Sequence, residues 1–325
     1  MRAKIIGTGS YLPERVMTNE DWAKIVDTSD EWITTRTGIK ERHFAADDQA
    51  ASDLITEASK LAIAEAGIDK DSLDLIIVAT ISGDNAYPST GCWVQSKLGI
   101  KPIPAFDVSA GCSGFLYALI VADSFIKAGN AKRVLVAGAE VMSRVINWED
   151  RNTAVLFGDG AGAAVLEATE EDTGILSHFW EADGNLGELL IQPAGGSAMP
   201  ASAETVAQKK HTVHMSGNEV FKHAVRMMQD SAMKAIERAG LSSEDIDLFI
   251  PHQANIRIIE ATIRRANIPL EKTFINIDKI ANVSAGTIPI ALDHARKEGR
   301  IKPGDNVLFA AFGAGFTWAG MTIRF

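Results

Sequence analysis

Cysteine is nearly missing from this sequence: its 325 residues include two, Cys92 and Cys112. A disulfide framework or a cysteine-rich metal site needs more, so neither is supported, and a reducing cytoplasm is the expected compartment. Positive charge is scarce relative to negative. The formal net charge of −10 at pH 7 argues against a general binder of nucleic acid or anionic membranes, so any anionic partner must be met by a local basic patch. No apolar run approaches the ~20 residues needed to cross a bilayer. The opening stretch before Gly7-Thr8-Gly9 offers only Ile5-Ile6, too short for the apolar core of a secretory signal.

What is present is an ordinary globular composition, 46% hydrophobic and 23% charged, on a chain long enough to need two lobes. Ala66-Gly67-Ile68 through Leu73-Asp74-Leu75-Ile76-Ile77 reads as a helix end, a short loop and a buried strand. Ala239-Gly240-Leu241 through Ile246-Asp247-Leu248-Phe249-Ile250 repeats it, and at the same interval Val134-Leu135-Val136-Ala137 is answered by Val307-Leu308-Phe309-Ala310. A third echo pairs Val108-Ser109-Ala110-Gly111 with Val283-Ser284-Ala285-Gly286. Two similar halves are therefore expected, 1–170 and 171–325, each an α/β arrangement with largely buried sheets. The stretch Pro193 to Lys210, rich in Ala, Gly, Ser and Pro, reads as an exposed loop or insertion.

One candidate nucleophile stands out. Pro104 to Val108 looks like a strand, Ser109-Ala110-Gly111 like a tight turn, and the run from Cys112 to Ala128 like a mostly buried helix closed by Gly129-Asn130. Cys112 would sit at the helix N-terminus, where free N–H groups and the dipole favour a thiolate. Its own backbone N–H could then stabilise an oxyanion. The alternative is a buried structural cysteine, which is the expectation for Cys92.

In the second half His252 follows the strand Leu248-Phe249-Ile250, and His252-Gln253-Ala254-Asn255 is read as the start of a helix with an Ile256, Ile259, Ile263 stripe. Asn282 lies in a turn before Thr287 to Leu292. Either residue alone is more often a locally satisfied polar group. Gly158-Asp159-Gly160-Ala161-Gly162 lacks the lysine and spacing of a phosphate loop and reads as a tight structural turn.

Taken in order along nearly the whole chain, from Lys4-Ile5-Ile6-Gly7-Thr8-Gly9-Ser10-Tyr11-Leu12-Pro13 to Phe312-Gly313-Ala314-Gly315-Phe316-Thr317-Trp318, these motifs resemble the β-ketoacyl-acyl carrier protein synthase III family of the thiolase fold. The resemblance implies a five-layered αβαβα architecture and a Cys112, His252, Asn282 triad drawn from both halves. It implies an oxyanion hole from the backbone of Cys112 and Ala314, with Ala314 standing where some members carry Gly. Coenzyme A would meet Thr28, Trp32, Arg36 and Arg151, since an indole can stack on adenine and a guanidinium can meet phosphate. Trp32 and Arg36 are neighbours on one helix face, though an ordinary surface pairing is the alternative.

The resemblance also implies an acyl pocket of Met142, Phe157, Leu189 and Phe312, with Tyr87 reaching across a homodimer. Familiar acetyl-selective members carry Phe where Tyr87 stands. Arg257, Arg264 and Arg265, with Lys222 and the segment Gln253, Ala254, Asn255, Ile256, would dock an acidic carrier protein; a solvated charged face is the alternative. The implied substrates are acetyl-CoA or another short acyl-CoA and malonyl-acyl carrier protein, with no metal or redox cofactor. Polyketide or alkylquinolone priming within the same fold, and a papain-like Cys-His-Asn hydrolase, are the competing readings.

Overall fold

A computed structural model describes residues 1–325, and its architecture follows from the repeated strand pattern. The first half builds a five-stranded sheet from β1 (Arg2–Tyr11), β2 (Leu75–Ala79), β3 (Ala105–Val108), β4 (Arg133–Val141) and β5 (Asp159–Thr169), in the order β1-β5-β4-β2-β3. The second builds a four-stranded sheet from β6 (Gly174–Ala182), β7 (Leu248–Pro251), β8 (Asn306–Gly313) and β9 (Thr317–Arg324), in the order β7-β8-β9-β6. The repeated segments pair alike: Leu75 lies opposite Val134 in the parallel β2–β4 pair, and Leu248 opposite Val307 in the parallel β7–β8 pair.

These strands are apolar on both faces because both faces are covered. Val134 and Val136 of β4 point to one side, Leu135 and Ala137 to the other. Helix α1 (Asp30–Thr37) lies outside the sheets, near the mouth of the site described below. Helix α2 (Ala51–Ala66) covers the outer side of the first sheet. Helices α3 (Gly114–Lys127) and α6 (Thr287–Lys297) fill the space between the two sheets. Helices α4 (Gly217–Arg238) and α5 (Ile256–Ala266) cover the outer side of the second sheet. The result is a five-layered αβαβα stack. Leu116 and Leu119 of α3 and Ile288 and Leu292 of α6 share one core with Val136 from one sheet and Ile250 and Phe309 from the other.

The central layer fits only because the sheet gives up side chains beneath it. A methyl group on Gly162 would lie 2.6 Å from the Ile290 backbone nitrogen, and one on Gly138 would lie 2.4 Å from the Ala285 carbonyl oxygen. The segment Gly158 to Gly162, expected as a tight turn, instead leads into strand β5 from Asp159, with Gly160 and Gly162 packed closely against α6 and Gly158 against the Ile280 carbonyl. Two other expectations change. His252 to Asn255 is an extended connector, with Asn255 capping a helix that begins at Ile256. Cys92 is exposed, on the helix Thr90–Leu98 with its sulfur beside the Ser89 hydroxyl.

Gly138→Ala tests this packing. The added carbon meets backbone rather than a movable side chain, so the variant is expected to lose about 1–3 kcal/mol of stability, read as a lower urea midpoint. Gly184→Ala, where a methyl group meets nothing within 4 Å, should leave the midpoint in place.

Candidate active site

Cys112 sits in a single tight turn, Gly111–Ser113, that runs directly into α3. Gly111 takes a left-handed φ of 53°, and a methyl group on Gly313 would lie 2.4 Å from the Cys112 nitrogen. The Cys112 amide and the β8–β9 turn holding Ala314 are therefore packed backbone against backbone. The thiol is 9% exposed. Burial pushes it up to about 12; the Ser284 hydroxyl and the Cys112 amide pull it down, while the nearby Glu140 charge pushes it further up. This corrects the expectation of a standing thiolate: the loss of hydration outweighs the helix terminus, and the resting sulfur carries its proton.

His252 directly follows β7, its amide donating to the Ala310 carbonyl at 2.8 Å. Its ring is fully buried, which pushes it down to about 3 and keeps it neutral. Nδ1 lies 2.6 Å from the Thr287 hydroxyl, which also has the Ser284 carbonyl at 3.1 Å. The one hydroxyl proton goes either to the Ser284 carbonyl or to Nδ1, and the second arrangement puts the imidazole proton on Nε2. Nε2 is buried and has no partner in the chain. With the proton there it is a donor waiting for an acceptor.

Asn282 is fixed just as firmly. Its Oδ1 accepts from the Ser284 amide at 2.8 Å, its amide donates to Leu156 O at 3.0 Å, and its carbonyl accepts from Gly158 N at 3.1 Å. With Oδ1 occupied, Nδ2 is the group left to serve a substrate. Ala281 and Ser284 flank it at φ 57° and 47°, a conformation costing of order 1–3 kcal/mol per non-glycine residue. Such strain persists where the surroundings fix the backbone.

Two cavities meet at the sulfur. One, of about 620 Å³, opens beside Trp32, Arg36 and Arg257 and reaches Cys112, His252 and Asn282. The other, of about 570 Å³, leads away from Cys112 between Met142, Phe157, Leu190 and Val213. At the mouth the Arg36 guanidinium lies 4.5 Å and that of Arg151 5.2 Å from the Trp32 ring. Arg151 is steadied by the Asp27 carbonyl at 2.7 Å, and the Thr28 hydroxyl is buried without a partner.

Members of known families resemble the chain throughout. It matches the family described as 3-oxoacyl-[acyl-carrier-protein (ACP)] synthase III over residues 106–184, and that family's C-terminal part over residues 236–325. It is 56% identical to the β-ketoacyl-[acyl-carrier-protein] synthase III of Caldanaerobacter subterraneus subsp. tengcongensis, covering 99% of this chain and 97% of that one. The chain belongs to the β-ketoacyl-[acyl-carrier-protein] synthase III family. The corresponding enzyme of Natranaerobius thermophilus is 52% identical, with 99% of each chain covered. The crystal structure of 3-oxoacyl-[acyl-carrier-protein] synthase III from Aquifex aeolicus VF5 superposes with a TM-score of 0.92 at 50% identity, covering 99% of this chain and all of that one. The fold is thus thiolase-like and the activity that of a condensing acyltransferase initiating fatty acid synthesis.

The residues expected from sequence are not all placed as expected. Met142 and Phe157 line the inner cavity, but Leu190 takes the place expected of Leu189, since the short strand Leu190–Ile191 turns its neighbour away from the cavity. Phe312 lies on the outer side, 5.9 Å from the His252 ring. Tyr87 is 86% exposed and touches neither cavity of its own chain. Gln253 cannot dock a partner: it is buried, donating to the Pro251 and Phe274 carbonyls and accepting from the Asn276 amide. Asn255 instead ties α5 to the Arg36 carbonyl at 3.0 Å. Ala194, Gly195 and Gly196, from the stretch expected as an exposed loop, form a wall of the inner cavity.

Sequence reasoning passed over Glu140, Ser284 and Thr287. A glutamate inside the apolar run Val134 to Val141 was the available signal for the first. Alkylation of Cys112 by iodoacetamide should rise about tenfold per pH unit from pH 7 to 10, because the thiolate fraction keeps growing below a value near 12. A rate that levels off near neutral pH would mean the sulfur is already ionised.

Proposed function

We propose that this chain works in the cytoplasm by a ping-pong reaction in which Cys112 takes the acyl group of acetyl-CoA and hands it to malonyl-acyl carrier protein. The observation that carries the reading is the convergence of Cys112, His252 and Asn282 on one buried point where the outer cavity meets the inner one. The outer cavity has the reach of a coenzyme A arm, with Trp32, Arg36, Arg151 and Thr28 at its mouth to take the nucleotide. Its inner neighbour, walled by Met142 and Phe157, takes the acyl chain.

In the first stage the sulfur attacks the thioester carbon, and the amides of Cys112 and Ala314 receive the charge on oxygen. Coenzyme A leaves. Malonyl-acyl carrier protein then enters by the same channel and loses carbon dioxide. His252 Nε2–H and Asn282 Nδ2–H donate to the malonyl thioester oxygen as charge builds there. The resulting carbanion attacks the acyl group on Cys112 and releases a 3-oxoacyl-carrier protein. Neutrality of His252 suits this task, since an imidazolium would be costly in so dry a place.

A homodimer completes the inner cavity. Tyr87, Ile81 and Trp93 expose large apolar surfaces in the lone chain, and β3 is a sheet edge whose side chains are only half-buried. A second copy covering this face would bring its Tyr87 to a cavity that already includes Ile81. The bulk of a tyrosine there favours a short starter.

Intact-mass analysis after mixing with a panel of acyl-CoA esters tests the first stage: one acyl group should appear on Cys112, most readily from acetyl-CoA, and none on Cys112→Ala. Asn282→Ala should acylate normally yet condense about 100-fold or more slowly, as losing one such donor does. Acylation failing while malonyl decarboxylation persists would reverse these roles.

The docking surface has its own test. Arg257, Arg264 and Arg265 are exposed on α5, whereas Lys222 is held by Glu219 at 2.7 Å. Arg264→Glu with Arg265→Glu, both outside the two cavities, should raise KM for malonyl-acyl carrier protein and flatten its salt dependence, leaving acylation by acetyl-CoA unchanged.

A further inference from the structure

One buried acid is left without a role by this scheme. Glu140 stands near the end of β4, fully buried, in the first half of the chain. It is paired with no cation. Its carboxylate accepts from the Thr80 hydroxyl at 3.2 Å, the Ile81 amide at 3.1 Å, and the Ser82 amide at 3.0 Å and hydroxyl at 2.5 Å. From the other half comes the Ser284 hydroxyl, 3.2 Å from Oε1. Ser284 lines the inner cavity together with Cys112, and its hydroxyl favours the ionised sulfur. One hydroxyl is therefore bonded to a buried carboxylate and faces the same cavity as the nucleophile.

The thiol must lose its proton as it attacks, and the other candidates are poor receivers. With its proton on Nε2, His252 has no free ring nitrogen to receive another, and the one carboxylate lining either cavity, Glu219, is exposed and held by Lys222 at 2.7 Å. We propose that Ser284 and Glu140 form a proton relay that takes the thiol proton of Cys112 in acyl transfer and returns it in condensation. The proposal rests on Cys112 being the acylated residue.

In the first stage the Cys112 S–H proton passes to Ser284 Oγ, whose own proton passes to Glu140 Oε1. The sulfur lone pair forms the S–C bond, the C–S bond to coenzyme A breaks, and the departing thiolate is protonated by solvent. The carboxyl holds its proton while the acyl group is in place. In the second stage carbon dioxide leaves, the new C–C bond forms, and the Cys112–acyl bond breaks towards sulfur. The sulfur then recovers its proton from Ser284, and Ser284 from Glu140. One solvent proton is consumed per turnover, which is what the overall reaction requires.

Burial raises Glu140 to about 7, so the carboxyl can hold or release a proton under working conditions. The groups facing it are Thr80, Ile81, Ser82 and Ser284, none of them charged, with Cys112 beyond. Ionised Glu140 also keeps the sulfur protonated by repulsion. Once it takes the proton, that repulsion ends as the sulfur reacts.

Difference infrared spectra of the acetylated protein minus the free protein test this directly, with intact mass confirming acetylation in each sample. A carboxylic acid C=O band should appear on acetylation and be missing from Glu140→Gln. Single-turnover acetylation should rise with pH through about 7 in the parent, because the receiving carboxyl must be ionised. Glu140→Gln should acetylate at least tenfold more slowly and lack that limb. Should Glu140→Gln fail to fold, Ser284→Ala cuts the link while leaving the bonds from Thr80, Ile81 and Ser82; it should show the same slowing. A fully acetylated parent with no new acid band, or either folded variant acetylating at the parent rate, would overturn the relay. A parent that gains no acyl group at Cys112 would instead remove the reaction scheme beneath it.

Discussion

A sulfur atom that must react is held where water scarcely reaches, and most of the surrounding structure answers to that. Burial makes the inner cavity fit for an acyl chain, but it also holds the Cys112 proton in place and strips His252 of any tendency to charge. The chain responds with neutral donors and hydroxyls in fixed positions rather than with opposed charges. Thr287 aims the imidazole, the Ser284 amide aims the Asn282 side chain, and the Ser284 hydroxyl binds Glu140 at the wall of the cavity that Cys112 shares. Nearly all of this depends on one short turn, Ala281 to Gly286, whose left-handed residues would not persist without the packing above and below it.

Charge is kept for the rim. Arg36, Arg151 and Arg257 lie at or near the mouth of the outer cavity, where solvent makes them inexpensive to maintain and where a phosphate or an acidic protein would first arrive. The surface elsewhere is acidic on balance. A basic rim on such a surface gives incoming anions one favoured approach.

Much of this was legible from residues alone. The repeated strand segments were visible as repeats because strands buried on both faces must be continuous apolar runs, and the fold pairs both copies in the same register. Cys112 stood out by its place between a tight turn and the start of a buried helix. Other features depend on what lies across the fold, which local pattern does not carry. The ionisation of Cys112 is set by burial and by Glu140, far from it in sequence. Gln253 looks like a surface residue beside a basic helix until its three backbone partners are seen. Leu189 and Leu190 differ only in which way a two-residue strand turns. The glycines from Gly158 to Gly162 were read as a turn, but a tightly covered strand calls for the same residue.

The middle layer has a consequence for how such a chain could have arisen. Helices α3 and α6 both lie between the sheets, and each contributes apolar side chains to a core shared by both sheets. A polypeptide carrying one sheet and one of these helices would leave that helix bare along its length. It could remain dissolved only by meeting another of its kind across the same face. Joining two such genes end to end would turn an encounter between molecules into a property of one, and would free the copies to diverge, one keeping a thiol at its turn and the other an amide.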